Sequence, residues 1–397
     1  MSSISAPAQA KTFALAFFAY YGYVGIFAPY ASLYFSERNM SGAQIGMLMS
    51  LMQVMRIFGP NLWGWVADSS GQRVQVVRYT ALAALLCLGG FLAAEHFLQF
   101  FWLMVFLNTF TSSQIPLLEA IMLSEMRGDL SHYGRLRLWG SVGFMATVMG
   151  GGYLLDRYGV GIFPALTLGM LAMACFMSFR ITEPPQTAPT QQRQSSLAIL
   201  RRPEVWMFFV SAFLMVAAHA ALYVYYSLYL ERLGYSKSVI GAMWALGVLV
   251  EILFFYFQAP LFRRFGVRKL MLASLGLGVL RFLMIGSGAQ FLPVLLLAQA
   301  MHAATFAAHH SAAVMTLQRW FNGPLQASGQ AWYTSIAYGM GGSLGGLIFS
   351  LCWERVSPQS VYWVAAGMAA LAMLAAWFSW QWQAKSNWSL ASQAKPG

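Results

Sequence analysis

Charge is what this sequence lacks most. Of its 397 residues only 9% are Asp, Glu, Lys or Arg and only 12 are acidic, while 59% are hydrophobic and 16% aromatic. A soluble domain carries about 25% charged residues. A chain this poor in charge cannot cover a surface that faces water, which excludes a soluble globular protein. Cysteine is scarce as well: Cys87, Cys175 and Cys352 lie far apart in apolar segments. That spacing excludes a disulfide framework and a cysteine metal site, and leaves buried packing residues. There is no Gly-x-x-x-x-Gly-Lys loop, so ATP hydrolysis by that route is excluded. No nucleophile–base motif and no metal cluster stands out, so the chain reads as no enzyme, with no catalytic residues, no metal and no cofactor. What it has instead is long apolar runs, the mark of a polytopic membrane protein.

A helix needs about 20 apolar residues to cross a bilayer. By that criterion the first part of the chain holds spans at 13–35, 43–67, 77–98, 101–125, 138–156 and 160–181. The second holds spans at 205–230, 238–258, 270–289, 291–317, 328–352 and 361–382. The first run is too long for a signal-peptide core and reads as a helix of the mature protein. The expected fold is therefore an all-α membrane protein of twelve transmembrane helices. Its expected domains are a six-helix bundle at 1–182, a polar cytoplasmic linker at 183–203, and a second six-helix bundle with a short tail at 204–397.

The net charge of +12 does not form a nucleic-acid-binding patch, because the basic residues fall in loops. Of the 24 Lys and Arg residues, seventeen lie on the side that holds the termini and five on the other. Arg56 and Arg281 lie inside spans. The positive-inside rule then places both termini in the cytoplasm, with the chain in the cell (inner) membrane.

The two halves repeat at a fixed offset. Ser32-Leu33-Tyr34 matches Ser227-Leu228-Tyr229, Ser41 matches Ser236, Ile45-Gly46 matches Ile240-Gly241, Gly71 matches Gly266 and Arg73 matches Arg268. Each pair is separated by 195 positions. Shared Gly, Ser, Tyr and Arg at one offset, loop residues included, are not what chance among apolar helices produces. The same register sets Arg56 opposite Glu251. A carboxylate at the depth of Glu251 costs about 2.5–3.5 kcal/mol even on lenient scales. It is tolerable if it faces the protein interior, meets a partner or takes up a proton.

Four groups of residues carry chemistry. After the second span, Gly64, Asp68, Gly71 and Arg73 form a charged turn. Glu119 in the fourth span and Arg137 at the start of the fifth lie 18 positions apart on consecutive helices. Arg137 reads either as a substrate contact or as an ordinary loop charge, and Arg135 as a loop charge. In the seventh span His219, Tyr223 and Tyr226 follow the i, i+4, i+7 spacing of one helix face. His219 can equally be a helix-bridging donor, the reading that also fits His310. Glu251, Arg281 and the face His302, Thr305, His309 complete the fourth group. An intramembrane ion is functional by default, and a structural ion pair is the alternative. The stripe Tyr20, Tyr23, Phe27, Tyr30 and Tyr34 fits packing or a cavity wall. Gly341, Gly342, Gly345 and Gly346 suit close helix packing.

These motifs resemble those of major facilitator transporters. The turn at Gly64–Arg73 is similar to that superfamily's loop motif, although Ser69 and Gln72 replace basic residues and Arg263 replaces the aspartate in the second half. The string Tyr133-Gly134-Arg135-Leu136-Arg137-Leu138-Trp139-Gly140-Ser141 and the stretch from Ala218 to Glu251 resemble the phenylpropionate permease family, which is related to the lactose permease branch. The resemblance implies alternating access to a midplane cavity between two bundles. It also implies a conformational latch at Gly64, Asp68, Gly71 and Arg73. It implies substrate binding for Glu119 and Arg137 and proton coupling for Glu251, Arg281 and His302. Depth, charge and helix-face spacing add Arg56, Tyr30, His219, Tyr223 and Tyr226 to the expected substrate-binding set and His309 to the proton-coupling set. Thr305 stands where the lactose permease branch has a further glutamate, so the proton step does not carry over unchanged.

The expected activity is proton-driven import of a small organic acid with an aromatic ring, such as a phenylpropionate. Counting Arg56, Arg137 and Arg281 against Glu119 and Glu251 leaves one positive charge for a carboxylate. A sugar, oligosaccharide or nucleoside permease is the alternative, as is a non-transporting sensor on the same fold. The expected partners are a small-molecule substrate, protons and the lipid bilayer, without nucleic acid, for a protein acting as a monomer.

Overall fold

The computed structural model describes residues 9–125, 130–182 and 197–393. Residues 183–196 of the expected linker lie outside them. Among the described residues the regular structure is helical. The helices are α1 (Ala10–Glu37), α2 (Gly42–Ser70), α3 (Arg73–Gly89), α4 (Phe97–Thr111), α5 (Gln114–Glu125), α6 (Leu130–Tyr158) and α7 (Phe163–Arg180). After a single turn, α8 (Leu197–Leu200), come α9 (Pro203–Ala220), α10 (Tyr226–Arg232), α11 (Lys237–Gly288), α12 (Leu292–Ala300), α13 (Ala308–Trp320), α14 (Gln326–Tyr333), α15 (Gly342–Arg355) and α16 (Pro358–Gln393).

Among the described residues ten helical stretches are long and apolar enough to cross a membrane. The 29-residue α2 is not among them, because it carries Gln44, Gln53, Arg56, Asn61 and Asp68. The 52-residue α11 counts once, although it is two helices run together across Gly266. Gly266 (φ 74°) and Gly71 (φ 66°) both have the positive φ that glycine accommodates without strain, Gly71 as a left-handed cap and Gly266 with an extended ψ of 159°. These are the two glycines that the 195-residue offset pairs. Ser41, also in that register, caps α2 in a box with Gln44, and its counterpart Ser236 accepts from the Val239 amide at the start of α11.

Several boundaries differ from the sequence reading. The third span ends at Leu92 and the fourth begins at Phe97, where His96 and Gln99 form a capping box. Apolar residues flank this turn on both sides, so hydropathy alone runs through it. Between α4 and α5 the helix breaks at Ser112–Ser113. Pro116 has no amide to bond back to Ser112, and the break follows from that. Three π-helical turns interrupt the later spans, at Ala221–Tyr225, Ala303–Ala307 and Thr334–Gly341.

Contacts divide the chain into two units. One takes in Met1–Pro189 and Tyr223–Ala245, the other Thr190–Leu222 and Leu246–Gly397. In the first, Phe13, Phe17, Val74, Val77, Leu118 and Ile121 form a buried core. Further along α1, Phe27, Tyr34 and Phe35 pack against Phe91, Phe100 and Phe163. Tyr23, Phe27, Tyr30 and Tyr34 are all buried, so most of that stripe is packing. The segment Tyr223–Ala245 is tied into this unit by Asp156, whose carboxylate accepts from the amides of Lys237 and Ser238, each at 2.8 Å. In the second unit α9 lies along α16, where Ser211 donates to the Ala372 carbonyl and Ser379 to that of Glu204. Gly341 and Gly345 let the Thr334–Gly341 turn and α15 approach the backbone of α9 at Phe213 and Ala217. Large side chains such as Leu86 and Tyr256 are exposed on the outside. An apolar surface of this extent is covered by lipid rather than water.

Candidate functional site

Among the described residues each unit holds a cluster of polar side chains contributed by facing helices. In the first, Arg137 of α6 donates from Nε to Glu119 Oε1 of α5 at 3.1 Å. Its Nη2 donates to the Tyr21 hydroxyl of α1 at 2.5 Å, and the guanidinium lies 4.2 Å from the centre of the Tyr21 ring. Gly140, one turn along α6, leaves the room. A Cβ there would sit 2.6 Å from the Tyr21 ring and 2.9 Å from Arg137 Nη1. The group is half-buried, with Arg137 and Glu119 side chains 31% and 27% exposed. An ion pair reachable from water keeps both its charge and its ability to rearrange.

Arg56 lies in the middle of α2, is exposed, and makes no hydrogen bond or ion pair among the described residues. Its charge acts on Tyr20 and Tyr21. Arg135 is exposed at the start of α6. Tyr30 lies apart from this cluster, fully buried, and donates its hydroxyl to the carbonyls of Val148 at 2.6 Å and Lys237 at 3.2 Å. Tyr226 packs edge-on against Trp244, while Tyr223 stands on the π turn that opens α10. The π turn separates His219 from the two tyrosines with which the helical spacing grouped it.

In the second unit Glu251 Oε1 of α11 meets His302 Nε2 at 2.6 Å. Gly247, one turn earlier on α11, makes the approach possible, since a Cβ there would lie 2.6 Å from Gln299 Nε2 and 3.3 Å from His302 Cδ2. Arg281 is fully buried. It donates to the Ala298 carbonyl at 2.8 Å, to Thr305 Oγ1 at 3.1 Å and to Gln299 Oε1 at 3.2 Å. Its charge acts on Glu251, His219 and His302. His219 Nδ1 donates to the Met215 carbonyl at 2.9 Å, and its ring lies 6.1 Å from that of His302. The second nitrogens of His219, His302 and His309 are buried without a hydrogen-bond partner among the described residues.

The π turn Ala303–Ala307 rearranges the expected face. Instead of His302, Thr305 and His309 pointing together, His302, Phe306 and His310 stack, with rings nearly parallel at 5.3 Å and 6.4 Å. Thr305 serves Arg281, and His309 is buried elsewhere. His310 Nδ1 bridges to the Tyr338 hydroxyl at 3.0 Å. In the turn after α2, Asp68 pairs with Arg73 at 3.2 Å on an exposed surface, Gly71 makes the left-handed cap, and Gly64 has open space around it. Among the described residues no three His, Cys, Asp or Glu side chains converge as metal ligands.

Chemically, the first cluster offers an arginine, an aromatic face and a nearby unpaired arginine. The second holds a carboxylate and an imidazole that can share one proton. Sequence reasoning had named the charged members. It had missed Tyr21, Gly140, Gly247, Gln299 and Phe306, which are ordinary apolar or neutral helix residues until their cross-helix partners are known.

Comparison with known proteins places the chain. The model of the MFS_1-like family matches residues 11–364. The chain is 32% identical over 366 residues to a probable 3-phenylpropionic acid transporter of Escherichia coli (strain K12), covering 91% of this chain and 95% of the relative. It is 30% identical over 274 residues to a maltose permease of Geobacillus stearothermophilus, covering 68% of this chain and 69% of the relative. The crystal structure of the nucleoside transporter NupG superposes with a TM-score of 0.82 at 16% identity, over 94% of this chain and 99% of that one. At that identity the likeness is one of fold. With family model, relatives and fold in agreement, the chain belongs to the MFS_1-like family of the major facilitator superfamily and is a multi-pass membrane transporter.

Proposed function

We propose that this chain is a proton-coupled importer of a small organic acid that carries an aromatic ring. The observation that carries the reading is the exposed Arg56 at mid-span, which makes no ion pair among the described residues, while Glu119 is engaged by Arg137 and Glu251 by His302. An unpaired guanidinium at that depth favours an anion, and its planar fork suits a carboxylate. The Tyr20 and Tyr21 rings supply aromatic surface close to its charge. The relative named as a probable 3-phenylpropionic acid transporter supports the same substrate class. In this reading the protein has twelve spans, with α2 added to the ten apolar candidates and α11 divided at Gly266. Residues 1–182 and 204–397 form two six-helix bundles with both termini cytoplasmic. Arg56, Arg137 and Tyr21 meet the substrate. Glu119, Tyr30, His219, Tyr223 and Tyr226 complete the expected binding set, Glu119 through its pair with Arg137 and Tyr30 through the helices it holds. Glu251 with His302, aided by Arg281 and His309, carries the proton, and Asp68 with Arg73 latches the turn after α2.

A neutral sugar is the second reading, favoured by the maltose permease relative and by an Arg137 that is already neutralised by Glu119. Uptake into vesicles containing the purified protein separates the two, with 3-phenylpropionate, its uncharged amide, maltose and a nucleoside offered side by side. The acid should enter, and Arg56→Lys and Arg56→Gln should each weaken its uptake. Preference for the amide or maltose, or undiminished acid uptake by both variants, defeats the organic-acid reading. Absence of counterflow with every compound favours the sensor.

A further inference from the structure

Two consecutive spans of the second unit each carry a π turn, and each turn holds one aromatic residue of a single half-buried face. The turn Ala303–Ala307 holds Phe306 and the turn Thr334–Gly341 holds Tyr338. His310 joins them. Its Nδ1 lies 3.0 Å from the Tyr338 hydroxyl, and its ring is nearly parallel to that of Phe306, with centroids 6.4 Å apart. The fully buried Tyr333 backs the face, meeting Tyr338 edge-on at 5.5 Å and His310 at 6.0 Å. Phe306, His310 and Tyr338 keep part of their surface open, whereas His302, Thr305 and His309 of the same span are buried. Turns of the π kind are rare and are frequently found at functional sites.

The company of this face tells it from a lipid-facing one. Glu251, whose side chain is 19% exposed, bonds His302 at 2.6 Å, and His302 stacks on Phe306 with centroids 5.3 Å apart and planes 7° apart. Beside His310, Ser311 donates to Gln258 Oε1 of α11 at 2.7 Å. Ionisable side chains at membrane depth face the bundle interior or a water-filled cavity. Glu251 and His310 are both ionisable and both partly open, so the face they flank looks onto water-filled space.

Resting on the organic-acid reading above, we propose that Phe306 and Tyr338 form the surface on which the substrate's aromatic ring lies, with Phe306 setting the preference for an aromatic ring over a saturated one. Three features carry it. The Phe306 ring is held before any substrate arrives, because His302 lies on it and Glu251 holds His302, so little side-chain freedom is left to lose on binding. The two rings are also set for a third. His310 is 10° from the plane of Phe306 and 75° from that of Tyr338, which makes Phe306 and Tyr338 close to perpendicular. A ring that stacks parallel to one therefore meets the other edge to face, and aromatic pairs favour both arrangements. Finally, a ring seated on Phe306 is one residue away from His302 and Glu251, the pair that carries the proton in that reading.

The test compares 3-phenylpropionate with 3-cyclohexylpropionate, which keeps the carboxylate and the six-carbon ring but has no π system. Uptake is measured in vesicles containing the full-length protein. The wild type should take up the phenyl acid with the lower KM. In Phe306→Leu the preference, read as the ratio of the two KM values, should fall about threefold or more, the effect of losing one aromatic pair. Tyr338→Leu should lower it too, while Phe306→Tyr and Tyr338→Phe, which keep a ring, should hold it. A merely structural role would impair both acids alike and leave the ratio where it was. A wild type that treats the two acids alike, or an unchanged ratio in either Leu variant, overturns the proposal. A measurement on the unaltered protein stands beside these. 3-Phenylpropionate carrying a para-azide is photolysed on the purified protein, and the label that unmodified 3-phenylpropionate competes away should fall in the spans that hold Phe306 and Tyr338. Competed label found only elsewhere overturns the proposal. A wild type that takes up neither acid defeats the organic-acid reading itself, a different result.

Discussion

Arg137 both donates to the Tyr21 hydroxyl and lies over the Tyr21 ring, so one aromatic residue holds the guanidinium in two ways. Tyr21→Phe separates them, keeping the face and removing the acceptor. A hydrogen bond to a charged group is worth about 1.5–3 kcal/mol, and less where water competes, so the Phe variant should raise KM for 3-phenylpropionate about 3- to 10-fold. Tyr21→Leu, which loses both contacts, should raise it further. Uptake kinetics check this, and an unchanged KM in both variants removes Tyr21 from the site.

Glu251→Gln keeps the shape of the Glu251–His302 contact and removes its capacity to take up a proton. In the proton-coupled reading proposed above, accumulation by the wild type should rise as the outside is acidified. In the Gln variant that dependence should be flat and uphill accumulation absent, while exchange continues. A Gln variant that still accumulates substrate under acid drive assigns the coupling proton elsewhere.

Gly247→Ala would put a methyl group 2.6 Å from Gln299 Nε2. Overpacking of this kind costs about 1–3 kcal/mol. Displacing Gln299 also disturbs an acceptor of the buried Arg281, so the variant should unfold at a lower temperature in detergent and accumulate substrate poorly. An unchanged melting temperature would show that the seam between α11 and α12 has slack.

Asp68→Asn should slow transport with KM nearly unchanged. The Asp68–Arg73 pair is exposed, and such pairs contribute about 0–1 kcal/mol, so overall stability should hardly move. Collapse of affinity at an unchanged maximal rate would make Asp68 a binding residue rather than a latch.

Most helices were legible as apolar runs of bilayer length, though not the turn at Leu92–Phe97, and the 195-residue offset already paired the two glycines that prove to have positive φ. The intramembrane ions were legible for the opposite reason, their rarity. What stayed hidden were the interruptions. Nothing in Ala303-Ala304-Thr305-Phe306-Ala307 announces a π turn, so the 3.6-residue period put Thr305 and His309 beside His302, and the structure puts Phe306 and His310 there. The break at Ser112–Ser113, by contrast, was announced by Pro116, which hydropathy alone passes over. Partners such as Tyr21 and Gln299 depend on which helices meet, and a single sequence without pair information does not contain that.

The π turn at Ala303–Ala307 also bears on how this protein can change over generations. An extra residue in one turn is undone by a single-codon deletion. Because the π turn has already absorbed that residue by under-rotating, removing one position there would return the turn to α-helical geometry and leave the later side chains close to their present places. A relative one residue shorter in this turn would carry the counterpart of His310 seven positions after that of His302 and still present it at the same point of the span. Position around the helix, more than the number of residues between the two histidines, is the quantity to compare among them.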